Sequence, residues 1–164
     1  MGREAIQEYF NANFQSLYQS SRSQIPENLE NPIDACVSVE ENVELCKIPT
    51  REEVKKAIFR IKSLKSPSPD GLPAFFYKHY WEIVRDQVTL AVQGFSRHGK
   101  LLQEFNSTFI VLIPKKNGAC DFNQFHPISL CNVVYKAISK ILVDRLRPLL
   151  EKMVDLAQVC FCPK

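Results

Sequence analysis

Apolar residues along this chain recur mostly at three- and four-residue steps, the spacing of one face of an α-helix. Ile6, Tyr9, Phe10, Phe14, Leu17 and Tyr18 keep that step and predict a helix over 5–18 with a core-facing stripe. Residues 20–31 carry Ser, Asn, Glu and Pro26 with few apolar groups, which predicts a linker. Residues 32–47 are acidic and irregular and predict no element. Thr50 and Glu53 fit the Thr-x-x-Glu capping box, and Val54, Ala57, Ile58 and Ile61 follow on one helix face. The stretch Ser66-Pro67-Ser68-Pro69-Asp70-Gly71 must end that helix, because its prolines cannot continue it and Asp-Gly favours a turn. From 74 to 97 an apolar face of Phe75, Phe76, Tyr80, Trp81, Val84, Val88, Val92 and Phe95 predicts two helices. Their break is expected near Arg85-Asp86, and Gly99 is the expected terminator. Thr108–Ile113 is the one nearly continuous apolar run; closed by Pro114, it suits a strand buried on both faces. Asn117-Gly118 signals a turn. Asn132 is placed to cap a last helix reaching about Leu146, with Val134, Ile138, Ile141, Leu142 and Leu146 inside and Pro148 as its kink or end. The fold class is α+β, helix-dominated.

Length and composition fit one ordinary domain: 164 residues, 45% hydrophobic. A net charge of +3 is less basic than that of a dedicated nucleic-acid binder. The charge is uneven, however. Only Arg3, Arg22 and Lys47 precede Thr50, and the rest of the 21 basic residues follow it. An acidic leader therefore precedes a basic body, and any nucleic-acid contact belongs to the body. None of the six cysteines forms a Cys-x-x-Cys pair, so zinc-ribbon and redox-motif spacings are absent. The opening residues lack a secretory apolar run, and Ile6 stands where a myristoylation signal needs Ser or Thr. No stretch approaches the length of a membrane span. The expectation is an intracellular protein with reduced thiols, nuclear or cytoplasmic, and no membrane partner.

Four segments carry candidate chemistry. The first, Lys65-Ser66-Pro67-Ser68-Pro69-Asp70-Gly71-Leu72-Pro73, precedes Phe75-Phe76-Tyr77-Lys78 and Trp81. The second is Leu112-Ile113-Pro114-Lys115, with Lys116 beside it; the third is Phe125-His126-Pro127-Ile128-Ser129-Leu130. The fourth is Gln158-Val159-Cys160-Phe161-Cys162-Pro163-Lys164. Read without relatives, each has a plainer meaning: a helix-ending turn, exposed hairpin lysines, a loop histidine and buried thiols. In this order and spacing the four together resemble the early motifs of reverse transcriptases from non-LTR, LINE-type retrotransposons, most closely those of plants.

The resemblance implies the fingers portion of a right-hand polymerase over 50–164, truncated before the catalytic palm, with 1–49 an N-terminal connector of one helix and a flexible acidic segment. It implies that Lys65, Ser68, Asp70 and Gly71 lie near an RNA template or template–primer, with Lys116 also on the nucleic acid. Lys115 is implied to face the nucleotide triphosphate from the end of a strand, and His126 to help hold it. Five positions depart from the family pattern, among them Cys160 and Cys162, which replace small or β-branched residues. Ser68 stands where Gly is usual and resists backbone angles that Gly admits. His126 replaces an Arg, giving up a permanent charge and a planar fork of donors, which weakens nucleotide binding. Lys164 stands where a Gly is expected.

The family's catalytic aspartates occupy a strand and a Tyr-x-Asp-Asp hairpin that are not among these residues. Asp121, Asp144, Glu151 and Asp155 form no pair of strand-borne carboxylates able to clamp two metal ions. Magnesium is implied for the full-length enzyme and no cofactor for this chain. There is no Gly-x-Ser-x-Gly, Gly-x-x-x-x-Gly-Lys or His-Glu-x-x-His, and His79, His98 and His126 are scattered. Three readings stay open: a polymerase fragment inactive alone that retains RNA binding, a non-enzymatic relic or protein-interaction module without it, or the template- and nucleotide-handling part of a longer product whose catalysis resides downstream.

Overall fold

The computed structural model describes residues 2–20, 36–64, 66 and 68–153. Lys65, most of the expected linker and the segment from Gln158 to Lys164 lie outside the described residues. Seven α-helices are described: α1 (Arg3–Tyr18), α2 (Val39–Cys46), α3 (Arg51–Phe59), α4 (Ala74–His79), α5 (Trp81–His98), α6 (Gln103–Asn106) and α7 (Val133–Met153). Two strands, β1 (Thr108–Pro114) and β2 (Phe125–Cys131), form one two-stranded sheet. The chain divides into two compact units: Met1–Asp34 with Leu112–Ile128, and Ala35–Val111 with Ser129–Lys164.

The larger unit is built around α3, α5 and α7. Their apolar faces interlock through Val54, Ala57 and Ile58 of α3, Trp81, Val88 and Val92 of α5, and Val134, Ala137, Ile138 and Ile141 of α7. Val54 and Ile58 are fully buried, each contributing about 1.5–3 kcal/mol from apolar burial. The Thr50 hydroxyl caps α3 by accepting from the Glu53 amide at 3.2 Å. Only half of the expected capping box forms, because the Glu53 carboxylate turns instead to Arg145. The break between α4 and α5 falls at Tyr80, not near Arg85-Asp86. Those two residues lie within a continuous α5, where half-buried Arg85 pairs with Glu82, and exposed Asp86 with Arg51 at 2.7 Å. Gly99 ends α5 in the left-handed region at φ 65°, and its amide donates to Phe95.

Helix α2 lies in the acidic stretch for which no element is expected. Ser38 and Glu41 close a full capping box around its first turn. Arg145 ties this region to α7. Its Nε and one Nη each donate at 2.8 Å to the Glu53 carboxylate, and the other Nη donates to the carbonyls of Leu45, at 3.0 Å, and Lys47. Pro148 does not end α7, which runs on to Met153. Asn132 stands at the start of α7 as expected, its carbonyl accepting from the Lys136 amide at 3.0 Å, but its side chain does not cap the helix. Its fully buried side-chain amide donates to the Glu104 and Phe105 carbonyls at 2.7 and 3.3 Å, holding the end of α6.

The smaller unit joins α1 to the outer part of the β1–β2 hairpin. Phe10 and Phe14 are half-buried on Phe122 and Phe125, with Phe14 edge-on to Phe122 at 4.9 Å. The Tyr9 hydroxyl donates to Asp121 at 2.5 Å. The rest of the predicted core stripe is exposed, and no residue of α1 is buried.

The expectation of a fully buried strand is wrong for β1, which is exposed along nearly its whole length. A strand is covered on both faces only where other layers pack on it. Here the sheet has two strands, and the helices of the larger unit pack on one another.

Candidate nucleic-acid interface

The residues named from sequence fall into two groups. Lys115, Lys116 and His126 belong to the hairpin. The Lys115 amide donates to the Gln124 carbonyl at 2.8 Å, and at the other end of the strands Thr108 Oγ1 donates to Cys131 Sγ at 3.6 Å. The strands therefore run antiparallel, and His126 lies two residues along β2 from the partner of Lys115. All three side chains are exposed. The Lys115 ammonium donates to the Asn123 carbonyl at 2.8 Å, so it is held against its own turn. Gly118 of the Asn-Gly pair takes φ 73°, and a short 3-10 turn, Phe122–Gln124, completes the connection.

Ser68, Asp70 and Gly71 form the turn between α3 and α4. Asp70 organises it from within. One carboxylate oxygen accepts from Ser68 Oγ at 2.9 Å and from the Leu72 amide at 3.0 Å; the other accepts from the Tyr77 hydroxyl at 3.5 Å. The Gly71 amide donates to the Ser68 carbonyl at 2.9 Å, and Gly71 takes φ 69°, open to Gly at no steric cost. Ser68 is buried, so the departure from Gly adds a hydroxyl that holds Asp70. Burial, followed by the charge and hydrogen bond of Asp70, pushes the Tyr77 phenol up to about 12. Lys78 reaches back to the Ile61 carbonyl at 2.6 Å and Ser63 Oγ at 3.1 Å, closing the end of α3.

A feature not read from the sequence lies in the larger unit, where the end of α3 meets the outer face of α7. A cleft of about 540 Å³ there is lined by Arg60, Lys62, Lys136, Lys140 and Arg147, with Tyr135 among them. One carboxylate, Asp144, shares the cleft, and it is bound to Arg60 at 2.5 Å. Among the described residues the other four cations make no ion pair. The helical period marks Lys136 and Lys140 as lying off the buried face, but it cannot show that Arg60 and Lys62 come to meet them.

No protein-family model matches the chain. A curated protein does resemble it. The chain is similar to a transposon protein. That relative, the transposon TX1 uncharacterized 149 kDa protein of Xenopus laevis, is 25% identical over 105 residues. The match takes in 64% of this chain and 8% of the relative's own length. The similarity supports a transposon origin for the sequence. No described helix is long and apolar enough to cross a membrane.

Proposed function

We propose that the chain is the fingers portion of an RNA-directed DNA polymerase, the reverse transcriptase of a plant-like, LINE-type non-LTR retrotransposon. In this reading it binds RNA template and nucleotide but does not polymerise within these 164 residues. The observation that carries it is the order of the segments at Lys65–Pro73, Leu112–Lys115, Phe125–Leu130 and Gln158–Lys164. The likeness to a transposon protein supports the same origin. So does the exposed apolar hairpin, with Phe109, Val111, Ile113 and Ile128 in solvent, as expected of fingers without a palm beside them.

Lys115 and His126 would meet the triphosphate together from one hairpin. Lys115 would exchange the Asn123 carbonyl for a phosphate oxygen, a stronger, charge-assisted partner. His126 supplies at most two donors, fewer than the Arg of the family pattern. Magnesium does not fit these residues: neither β1 nor β2 contains an Asp or Glu to hold it.

Primer extension and RNA binding test the proposal. The purified chain with magnesium, RNA template and DNA primer is expected to give no extension; extension would contradict the reading. It is expected to bind RNA at low salt, and Lys115→Ala with Lys116→Ala should weaken binding and make the log–log salt slope shallower by about 1.4. Absence of binding at low salt would favour the relic or protein-interaction reading.

A further inference from the structure

We infer that the cleft between the end of α3 and α7 is a binding site for single-stranded nucleic acid, with phosphates along its cationic row and one base stacked on Tyr135. The inference deepens the reading above and rests on it for the identity of the ligand.

Charge comes first. Five cationic side chains face one carboxylate in the cleft, while the whole chain is only +3. The cleft therefore concentrates more positive charge than the molecule carries net, and low-dielectric walls such as Ile61 and Val143 focus its field. A second cleft of the larger unit, about 620 Å³, is acidic on balance: Glu40, Glu41, Glu44 and Glu53 line it with only Lys47 and Arg145. A polyanion is thus drawn to the first cleft in preference to the second.

Shape comes second. Lys136, Lys140 and Arg147 are spaced by four and seven residues, so they share a face of α7 and run for about 16 Å along it. Arg60 and Lys62 line the facing wall. A linear row suits an extended backbone better than a compact anion.

The aromatic ring decides between single and double strands. Tyr135 is 39% exposed within this cationic cleft. Base–aromatic stacking needs a free base face, which a single strand offers and a duplex hides. The five cations supply affinity, and Tyr135 selects the strand form.

The test is fluorescence anisotropy with the whole chain and a labelled single-stranded RNA of about ten nucleotides, alongside the same sequence as a duplex. The cleft is expected to contribute about −3 to the log–log salt slope, from four cations that make no ion pair among the described residues, at roughly 0.7 each. Lys140→Ala with Arg147→Ala should make it shallower by about 1.4. Tyr135→Ala should weaken single-strand binding roughly ten-fold without changing the slope, and Tyr135→Phe should bind as the parent does. Melting curves matching the parent's exclude misfolding, and Lys140→Arg with Arg147→Lys should retain binding. If the cleft variants bind normally while Lys115→Ala with Lys116→Ala does not, this inference falls and the polymerase reading stands. If nothing binds at low salt, both fall. Duplex preferred over single strand, with no effect of Tyr135→Ala, also overturns the inference.

Discussion

Asn132 shows how one side chain can serve an element other than the one it precedes. Its amide nitrogen is surrounded by the carbonyls of Glu104, Phe105 and Ser107, which fixes its orientation, since an oxygen there would be repelled. The side-chain oxygen has no partner among the described residues. Asn132→Ala is expected to lose about 1–3 kcal/mol in urea unfolding, because it removes the donor that these part-buried hydrogen bonds share. An unchanged midpoint would show that water reaches the carbonyls. Tyr77 gives a test by pH. It is 5% exposed, and its phenol is pushed from 10 up to about 12. Below pH 10 both folded and unfolded states keep the proton. Between about 10 and 12 only the unfolded chain releases it, so stability falls as pH rises through that window. The loss is at most about 2–3 kcal/mol. Tyr77→Phe should flatten the alkaline fall by that amount relative to the parent. Parallel alkaline curves for the two proteins would contradict the burial.

At the scale of elements, α7 is held by polar as well as apolar contacts. The side chains of Arg145 and Glu53 are 16% and 31% exposed, against 49% and 57% for Arg51 and Asp86. Exposed pairs contribute about 0–1 kcal/mol. Arg145→Ala, which strands a carboxylate and two carbonyls, is expected to cost about 2–4 kcal/mol, and Arg51→Ala less than about 1 kcal/mol. Equal thermal shifts for the two variants would refute the clamp. Elements with a strong helical period were legible in the sequence: α1, α3, the start of α7 and the Gly99 stop fall where expected, while the far end of α7 lies beyond Leu146 and Pro148, at Met153. Helix α2 was missed although Ser38 and Glu41 carry a capping-box signal, because its eight residues make little more than two turns, too short for a helical period to stand out. The position of β1 was readable and its burial was not. Alternation and apolar content describe a strand, whereas burial depends on what else the chain packs against it.

At the scale of the molecule, the sequence order of motifs speaks for ancestry and the charge distribution for what the chain can bind. Lys115, Lys116 and His126 could be named from the sequence because they sit inside recognisable segments. The cleft could not: Arg60 and Lys62 meet Lys136, Lys140 and Arg147 only after α3 packs on α7. Arg145, equally basic and on the same helix, is spent on Glu53 and illustrates why counting cations along a helix does not locate a surface. The measurement that reaches the central claim most directly is photo-crosslinking of a 4-thiouridine-labelled RNA to the whole chain, with the attached peptides mapped by mass spectrometry. The expected result is attachment at the α7 face containing Tyr135 and at the Lys115–His126 hairpin, fading as salt rises. Attachment confined to the acidic side around Glu40–Glu44, or none at low salt, would contradict a nucleic-acid-binding polymerase fragment.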